Sequence, residues 1–423
     1  MPLTSCAALR PLRTGLFLTL LGIGLTACVS NPPPPPERPK QMASAAVFDL
    51  AIDHAVDDLL VQLQRLPEFQ PPQKSALELA LQRPQEPPPK VRIALDTAVD
   101  SATGQQTTAT QLLDQRLQLR AAARFPQFEV VGVSPASLPG SRFILVSTLT
   151  PPDQGASATE GRFRISLALA DIRSGLVVAQ SVALSVPQGV DSTPTAYFRD
   201  SPALTRDRIV DGQIKTAQTQ VGTAADGVYL SSLSVAALIA EGSRLYDAGK
   251  YADALRVYET AANRPDGKQQ RVFNGLYLSN NQLGNTEATE RAFGQIISLG
   301  LATNNLSVKF LFKAGSTDFL PDPKVSGPYP MWLKSLSKEI SASKTCLSII
   351  GHSSRTGTEA VNDRLSLSRA STLQRRMESM HPDIAGRLQP QGMGFRENLI
   401  GTGTDDLRDA LDRRVEFKVR SCP

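Results

Sequence analysis

The feature that most constrains the fold is a series of five short segments between residues 91 and 186. One is mostly apolar, and in the other four apolar and polar side chains alternate, which is typical of strands. Residues 171–175, "DIRSG", predict a tight hairpin turn with Gly175 at a position suited to positive φ. The predicted strands are "VRIALD" (91–96), "FEVVGV" (128–133), "RFILVSTL" (142–149), "GRFRISLALADI" (161–172) and "LVVAQSVALSV" (176–186).

Two stretches with a helical period lie among these strands. Residues 44–65 place eight apolar side chains on one face, and residues 107–124 are amphipathic as well. The resulting order, α-β-α-β-β-β-β, predicts an α+β domain over residues 44–190. Residues 191–230 lose the strand period, and we interpret them as a connector.

The chain becomes helical again from about residue 231. Its segment "LIAEGSRLYDAGKYADALRVYETAANRPDG" (238–267) resembles one tetratricopeptide unit, and a looser copy follows up to residue 302. Two such repeats must pack against a neighbour, either another domain or a partner protein. They form either a structural helical hairpin or a peptide-binding groove. The residues that carry the pattern are Gly242, Ala254, Tyr258 and Ala261, with Gly275, Ala288 and Phe293 in the second copy.

The composition excludes several functional classes. With 423 residues, 41% of them hydrophobic, the chain is globular and has about two to four domains. Its formal charge is +5 and its basic residues are interspersed with acidic ones, so we expect no nucleic-acid partner. The three histidines are scattered, and no CxxC or HxxxH spacing occurs, so we expect no metal site. We see no catalytic or cofactor motif and expect no enzymatic activity.

The first 27 residues are typical of a signal peptide. Arg10 and Arg13 precede a short apolar run that ends in "LTAC" (25–28). This ending resembles the lipobox of bacterial lipoproteins, and the alternative is an ordinary signal peptide with a chance cysteine. The resemblance implies that Cys28 becomes the N-terminal residue and carries acyl chains such as palmitate.

Residue 29 is Val and not Asp, which by the sorting convention of such lipoproteins implies the outer membrane, with the protein facing the periplasm. Residues 28–43 would be the lipid anchor and a linker. The segment "NPPPPPERPK" (31–40) favours a stiff polyproline II spacer. We therefore expect an envelope protein held at its N-terminus by lipid.

Two further cysteines, Cys346 and Cys422, remain in the predicted exported chain. An even pair in an oxidising compartment is a candidate disulfide, and the alternative is two buried free thiols. If the strands that carry them are antiparallel neighbours, the start of one meets the end of the other, as a bridge requires.

The last part of the chain, residues 303–423, resembles the peptidoglycan-associating C-terminal domain of OmpA, Pal and MotB. The resemblance implies a βαβαββ fold. It rests on five segments in order: "VKFLFKAGSTDFLPD" (308–322), "YPMWLKSLSKEI" (329–340), "CLSIIGH" (346–352), "NDRLSLSRA" (362–370) and "DRRVEFKV" (412–419).

The same resemblance implies a site for the diaminopimelate of a peptidoglycan stem peptide. Arg369 would bind its carboxylate, because a guanidinium donates two parallel hydrogen bonds. Asn362 and Ser366 recur with Arg369 on one helix face, and Leu365 belongs to the same motif. Ser354 stands where the family has an Asp that would neutralise the ligand's ammonium. Peptidoglycan is the partner that these positions imply.

Some roles stay open at this point. Arg369 either binds a carboxylate of the wall or pairs with an acid inside the domain. For Arg413 and Arg414 we favour a structural role, since alternation along a strand would point one inward and one outward, and one of them could flank the site. Three nearby acids could replace the missing Asp: Asp318, Glu359 and Asp363.

The α+β domain resembles the group of lipoprotein domains that includes the penicillin-binding-protein activators, flagellar FlgO and curli CsgG. The resemblance rests on the element order, on "ALDTAVDSATGQQTTATQLLDQRL" (94–117) and on "LALADIRSGLVVAQ" (167–180). It implies binding of unidentified envelope proteins. We thus expect a scaffold lipoprotein between outer membrane and peptidoglycan. The alternative is an assembly or activation factor for an envelope machine or cell-wall synthase. In that case the C-terminal domain of this protein has lost the ability to bind the wall.

Overall fold

The structure is a computed structural model that describes residues 46–69, 90–152, 161–313, 315–400, 403 and 408–422. The predicted signal peptide, Cys28 and the proline-rich linker lie outside the described residues. Residues 39–423 are one unit by their internal contacts. Among the described helices, none is both long and apolar enough to cross a membrane.

The N-terminal part is built on one mixed sheet, with strand order β3-β1-β4-β5-β6 and β2 beside β4. Strand β1 runs parallel to β3 and β4, whereas β4, β5 and β6 are antiparallel neighbours. The predicted turn joins β5 to β6, and Gly175 has φ of 72°. The strands are β1 (Val91–Leu95), β2 (Val99–Asp100), β3 (Phe128–Gly132), β4 (Phe143–Thr150), β5 (Phe163–Asp171) and β6 (Val177–Ser185).

Helices α1 (Phe48–Gln64) and α2 (Thr108–Arg124) cover one face of this sheet. Their apolar side chains share one core with the inward residues of the strands. The two helices are joined at their outer edge by Arg116 and Arg120, which pair with Asp53 and Asp57. The prediction of mixed helices and strands here is confirmed.

The other face of the sheet is covered by the segment that we interpreted as a connector. Residues 191–230 contain α3 (Ala196–Asp200), α4 (Arg208–Ala217) and α5 (Gly227–Ser231). Tyr229 is fully buried against this face, and its hydroxyl donates to Asp96 Oδ2 at 2.7 Å. The segment is therefore a packing layer and not a linker. Its helices are five to ten residues long, and helices this short are hard to recognise in sequence.

Four helices follow as two antiparallel hairpins. Tyr258 is buried where they cross: a Cβ on Gly242 would lie 2.7 Å from its ring, and a Cβ on Gly275 would overlap it. The small and aromatic residues of the repeat pattern thus set the helix spacing, including at Gly275, which is out of step in sequence. The helices are α6 (Leu233–Asp247), α7 (Tyr251–Ala262), α8 (Gln270–Gln282) and α9 (Thr286–Ala302).

These hairpins pack on the C-terminal part of the same chain, one of the two neighbours that we expected. Trp332 Nε1 donates to the hydroxyl of Tyr277 at 2.9 Å, and Phe293 stacks on the Trp332 ring at a centroid distance of 5.4 Å. One apolar core runs through both parts. Residues 303–423 therefore share their core with the helices before them.

The C-terminal elements run β-α-β-α-β-β, with one short extra helix. The sheet order is β7-β10-β8-β9, with β10 antiparallel to β7 and β8, and β9 parallel to β8. The elements are β7 (Leu306–Val308), α10 (Pro323–Ser326), α11 (Tyr329–Ser343), β8 (Cys346–His352), α12 (Glu359–Met380), β9 (Leu388–Gly394) and β10 (Val415–Arg420). Short 3-10 helices lie at Pro67–Phe69, Leu138–Gly140, Pro382–Ile384 and Arg408–Arg413.

The first strand of this sheet is shorter than the motif "VKFLFK" predicts. Strand β7 ends at Val308, which is paired with Val415. In this register Lys309 would face Arg414 and Phe310 would face Arg413, which ends the 3-10 helix Arg408–Arg413, so the pairing with β10 stops at Val308. Phe312 instead forms an isolated bridge with Phe319. Phe310 and Phe312 keep their inward positions and fill the core instead.

The predicted disulfide between Cys346 and Cys422 is present, with 5.2 Å between the Cα atoms. Arg420 is the register partner of Cys346 in the antiparallel pair β8 and β10. The bridge therefore joins the start of β8 to the chain just beyond β10, as the strand argument predicts.

Candidate functional site

Helix α12 lies directly on the backbone of β8 and β9, and two glycines make this possible. A Cβ on Gly351 would overlap the carbonyl oxygen of Ser366, and a Cβ on Gly392 would lie 2.6 Å from that of Asp363. Any larger residue would push the helix away from the sheet. The two glycines therefore set the distance between the helix and the sheet, and with it the position of the helix side chains.

The polar side chains of the motif hold this helix in place. Asn362 is buried and its amide donates to Thr356 O at 2.7 Å and to Thr358 O at 3.0 Å, which closes the turn before α12. Ser366 Oγ accepts the backbone N–H of Gly394 at 2.9 Å. Both side chains do share a face with Arg369, but it is the face packed on the domain.

Arg369 is 3% exposed and lies beneath the loop that follows β7. Its Nε donates to Ser316 O at 3.1 Å, and its Nη2 donates to Lys313 O at 3.3 Å. The guanidinium also lies over the ring of Phe312, 4.9 Å from the centroid. These described contacts join Arg369 to backbone carbonyls of the loop and to an aromatic ring.

Ser354 is buried at the end of β8, two residues after the strand. The preceding Ser353 donates its backbone N–H to Gly394 O at 2.9 Å, so this stretch is tied to the end of β9. Residues 355–360, which include the N-terminus of α12, are exposed, and Leu365 is half-buried on the helix. The exposed turn and helix start are the part of the site that solvent reaches.

Two of the three acids proposed as substitutes for the missing Asp are engaged elsewhere. Arg396 donates to Asp363 Oδ1 at 2.7 Å and to Glu359 Oε1 at 3.1 Å on the exposed side of α12. Asp318 is exposed in the loop after β7. Arg396 was missed by the sequence reasoning, because it lies over 30 residues from its partners and no motif includes it.

A second buried polar group lies at the same end of β8. His352 is 1% exposed, and its Nε2 lies 3.8 Å from Glu416 Oε1, which accepts from Arg414 Nε at 2.9 Å. Burial, and then the charge of Arg414, lower the pKa of His352 to about 3. The imidazole is therefore neutral at physiological pH, and Glu416 forms its ion pair with Arg414.

Arg413 and Arg414 do not alternate as we predicted. Both are buried, because Arg413 ends the 3-10 helix Arg408–Arg413 and β10 begins only at Val415. Arg414 also donates to Glu397 O at 3.1 Å. For Arg414 the structural role that we favoured matches these contacts.

The arrangement can bind an anion more readily than a cation. Arg369 supplies a fixed guanidinium, and the exposed start of α12 supplies backbone N–H groups at a helix N-terminus. On the helix, Arg369 lies ten residues after Glu359, which corresponds to about 15 Å along the axis. Among the described residues, no group of three or more His, Cys, Asp or Glu side chains could hold a metal ion.

Comparison with known proteins finds no matching family model and no matching curated protein. Solved structures do match. The peptidoglycan-associated lipoprotein from Burkholderia pseudomallei is 20% identical, with 27% of this chain and 89% of that chain covered and a TM-score of 0.23. A MotB-like protein from Desulfovibrio vulgaris is 20% identical, with 35% and 95% covered and a TM-score of 0.25. An outer-membrane protein from Borrelia burgdorferi is 21% identical, with 27% and 88% covered and a TM-score of 0.21. The likeness thus concerns about a third of this chain.

Proposed function

We propose that this protein is an outer-membrane lipoprotein that binds peptidoglycan through residues 303–423. Acyl chains on Cys28 hold its N-terminus in the membrane, and the linker spaces the fold from the lipid. The α+β domain and the helical hairpins are then displayed in the periplasm as a scaffold for envelope proteins. The protein has no catalytic role in this proposal.

The observation that carries the proposal is the position of Arg369. A buried guanidinium is costly unless acceptors surround it, and two of its acceptors here are backbone carbonyls of the loop after β7, at Lys313 and Ser316. A carboxylate is a stronger acceptor for a guanidinium than a carbonyl. A diaminopimelate carboxylate would therefore replace these carbonyls, with the loop moving aside as it binds.

The site binds the ammonium of the ligand less strongly than its carboxylate. Ser354 offers a hydroxyl where a carboxylate would make a charge-assisted hydrogen bond about twice as strong as a neutral one. We expect this to weaken binding by about 1–2 kcal/mol, or roughly tenfold to thirtyfold. The site is then a weak one that gains from being tethered, since the lipid anchor keeps the domain beside the wall.

The test is sedimentation with purified diaminopimelate-type peptidoglycan. We would use residues 39–423, because the isolated C-terminal part would lose the core that it shares with the helices. The variants are Arg369→Ala, Ser354→Asp and, as a matched control, Arg364→Ala. Arg364 is an exposed arginine on the same helix. Circular dichroism checks that each variant is folded.

The expected result is that wild type and Arg364→Ala pellet with the wall, Arg369→Ala stays in solution, and Ser354→Asp pellets more strongly. Equal pelleting of wild type and a folded Arg369→Ala would show that this site does not bind the wall. Pelleting of Ser354→Asp alone would show that the fold is kept and wall binding is lost.

That last outcome would favour the second candidate, an assembly or activation factor for an envelope machine or cell-wall synthase. Two observations support it: Ser354 replaces the acid, and the loop after β7 covers Arg369. Its working part would be the α+β domain, which we place beside penicillin-binding-protein activators by resemblance only.

A further inference from the structure

A cavity of about 970 Å³ lies where the segment before α4, the helical hairpins and the start of the C-terminal part meet. It is separate from the Arg369 site, since none of the motif residues on α12 lines it. Its size is that of a ligand pocket. Three features of its wall point to one class of ligand.

The first feature is a buried ammonium. Lys309 lines the cavity and is 8% exposed, and its Nζ donates to the carbonyls of Phe198 and Arg199, both at 2.9 Å. Among the described residues, no carboxylate oxygen lies within 4.0 Å of Nζ. Two of its three N–H donors are therefore used, both by backbone carbonyls.

The charge balance around Lys309 supports this. Burial lowers the pKa of Lys309 to about 7, although the charge of Asp200 raises it. Asp200 is itself engaged by Arg199 at 2.8 Å and by the hydroxyl of Tyr246 at 3.1 Å. A carboxylate of a ligand placed at Nζ would therefore stabilise the charged form of Lys309.

The second feature is the amide of Gln105, which also lines the cavity. This side chain is 1% exposed, and neither its Nε2 nor its Oε1 has a hydrogen-bond partner among the described residues. A buried amide with both groups unpaired is costly. A peptide group offers the complementary donor and acceptor, so one ligand amide would satisfy both atoms.

The third feature is an aromatic wall. Trp332 and Tyr277 meet through the hydrogen bond described above, and Phe198 lines the same cavity. Such rings accept apolar side chains and contribute most of the buried area in protein–ligand contacts.

We propose that this cavity binds the free carboxyl terminus of a peptide whose last side chain is apolar. The carboxylate pairs with Lys309, the last peptide group bonds to Gln105, and the terminal side chain lies against Trp332. Capture of a terminal carboxylate by fixed donors is a known mode of peptide recognition. The site would let the displayed part of the protein hold the C-terminus of a partner.

Trp332 is the only tryptophan in the chain, so its fluorescence reports on this cavity. We would titrate residues 39–423 with acetyl-Ala-Ala-Phe bearing a free carboxylate, and with the same peptide as its C-terminal amide. We expect the carboxylate peptide to change the fluorescence and to bind about tenfold more tightly than the amide. Equal affinities, or no change with either peptide up to millimolar concentration, would overturn the proposal.

Two variants test which part of the peptide each residue contacts. Lys309→Met should remove the preference for the carboxylate and leave the affinity for the amide peptide unchanged. Gln105→Leu should weaken both peptides alike without loss of folding, because the amide has no hydrogen-bond partner to lose in the part of the chain that the structure describes. If Lys309→Met does not fold, Gln105→Leu decides: unchanged affinity for both peptides would contradict the proposal.

Arg369→Ala separates this site from the wall site. It should keep the wild-type affinity for acetyl-Ala-Ala-Phe even where it no longer pellets with peptidoglycan. Loss of the tripeptide in a folded Arg369→Ala would show that the peptide binds at α12 and would overturn the cavity proposal.

Discussion

The guanidinium of Arg369 stacks on the ring of Phe312, with 4.9 Å between Cζ and the ring centroid. The same side chain holds the loop after β7 through the carbonyl of Ser316. One residue thus links helix α12 to the loop that covers the candidate site. It is both the group proposed to bind the ligand and a group that the resting fold uses.

Arg369→Lys should therefore cost stability even though it keeps the charge. A lysine has no planar fork and cannot stack while donating to Ser316 and Lys313, so we expect the free energy of unfolding to fall by about 1–3 kcal/mol. The measurement is urea unfolding of residues 39–423. The matched change Arg364→Lys, at an exposed position, should stay within about 0.5 kcal/mol. Equal effects of the two changes would mean that the buried contacts of Arg369 contribute nothing.

Gly242→Ala and Gly275→Ala should each destabilise the helical hairpins by about 1–3 kcal/mol. The new methyl group would enter the space held by the Tyr258 ring. Gly294→Ala is the control, since its Cβ would lie 3.8 Å from Glu339 Oε1, an ordinary contact, and a helix interior gains about 0.5–1 kcal/mol from this change. Thermal unfolding of the three variants distinguishes them. A neutral Gly242→Ala would show that the helices can move apart freely.

Removal of the disulfide should lower the free energy of unfolding by roughly 4 kcal/mol in the chain-entropy model, because Cys346 and Cys422 are 76 residues apart. The variant is the double change Cys346→Ala and Cys422→Ala, measured by urea unfolding. Reduction of the wild type with dithiothreitol should give a similar loss, and the variant should not respond to it. A variant as stable as the oxidised wild type would refute the estimate.

His352 should make the protein labile to acid. The pKa of His352 is lowered from 6.5 to about 3 in the fold, so below pH 6.5 the unfolded chain binds a proton that the native state does not. Stability is therefore lost as the pH falls from 6.5 toward 3, by about 1–2 kcal/mol at pH 5.

His352→Phe should remove this part of the pH dependence, and since both ring nitrogens lack partners among the described residues it should cost little at pH 7. Urea unfolding at pH 7 and pH 5 measures both effects. For Glu416, burial alone would raise the pKa, but the charges around it, chiefly Arg414, lower the pKa below 4.5, so Glu416 stays ionised between pH 7 and pH 5. An unchanged difference between the two pH values in the variant would count against the assignment to His352.

Much of the local structure follows from short-range pattern. Helix α12 and strand β8 lie where the motif places them, and the predicted bridge between Cys346 and Cys422 is present. Strand β7 is shorter than predicted because β10 begins only at Val415. In the antiparallel register the partner of Lys309 would be Arg414, and the partner of Phe310 would be Arg413, which ends the 3-10 helix Arg408–Arg413. No pattern within residues 306–313 could reveal that.

In the candidate site, too, the sequence pattern predicts some features and tertiary contacts set the others. The motif predicts that Asn362, Ser366 and Arg369 share a helix face, and they do. It cannot say what that face meets, which here is the sheet for Ser366 and the loop after β7 for Arg369. Contacts between segments separated by tens of residues depend on how the layers stack.

Short-range pattern thus predicts most of the strands, the longer helices and the residues of the motif, because these depend on neighbours a few positions away. The bridge between Cys346 and Cys422 follows instead from the even cysteine pair and the expected antiparallel strands. Three features appear only in the folded chain: residues 191–230 cover a sheet face, the hairpins share a core with residues 303–423, and Lys309 is buried without a carboxylate partner among the described residues. The physical reason is that burial and charge pairing belong to the assembled layers, and every layer here is completed by a segment distant in the chain.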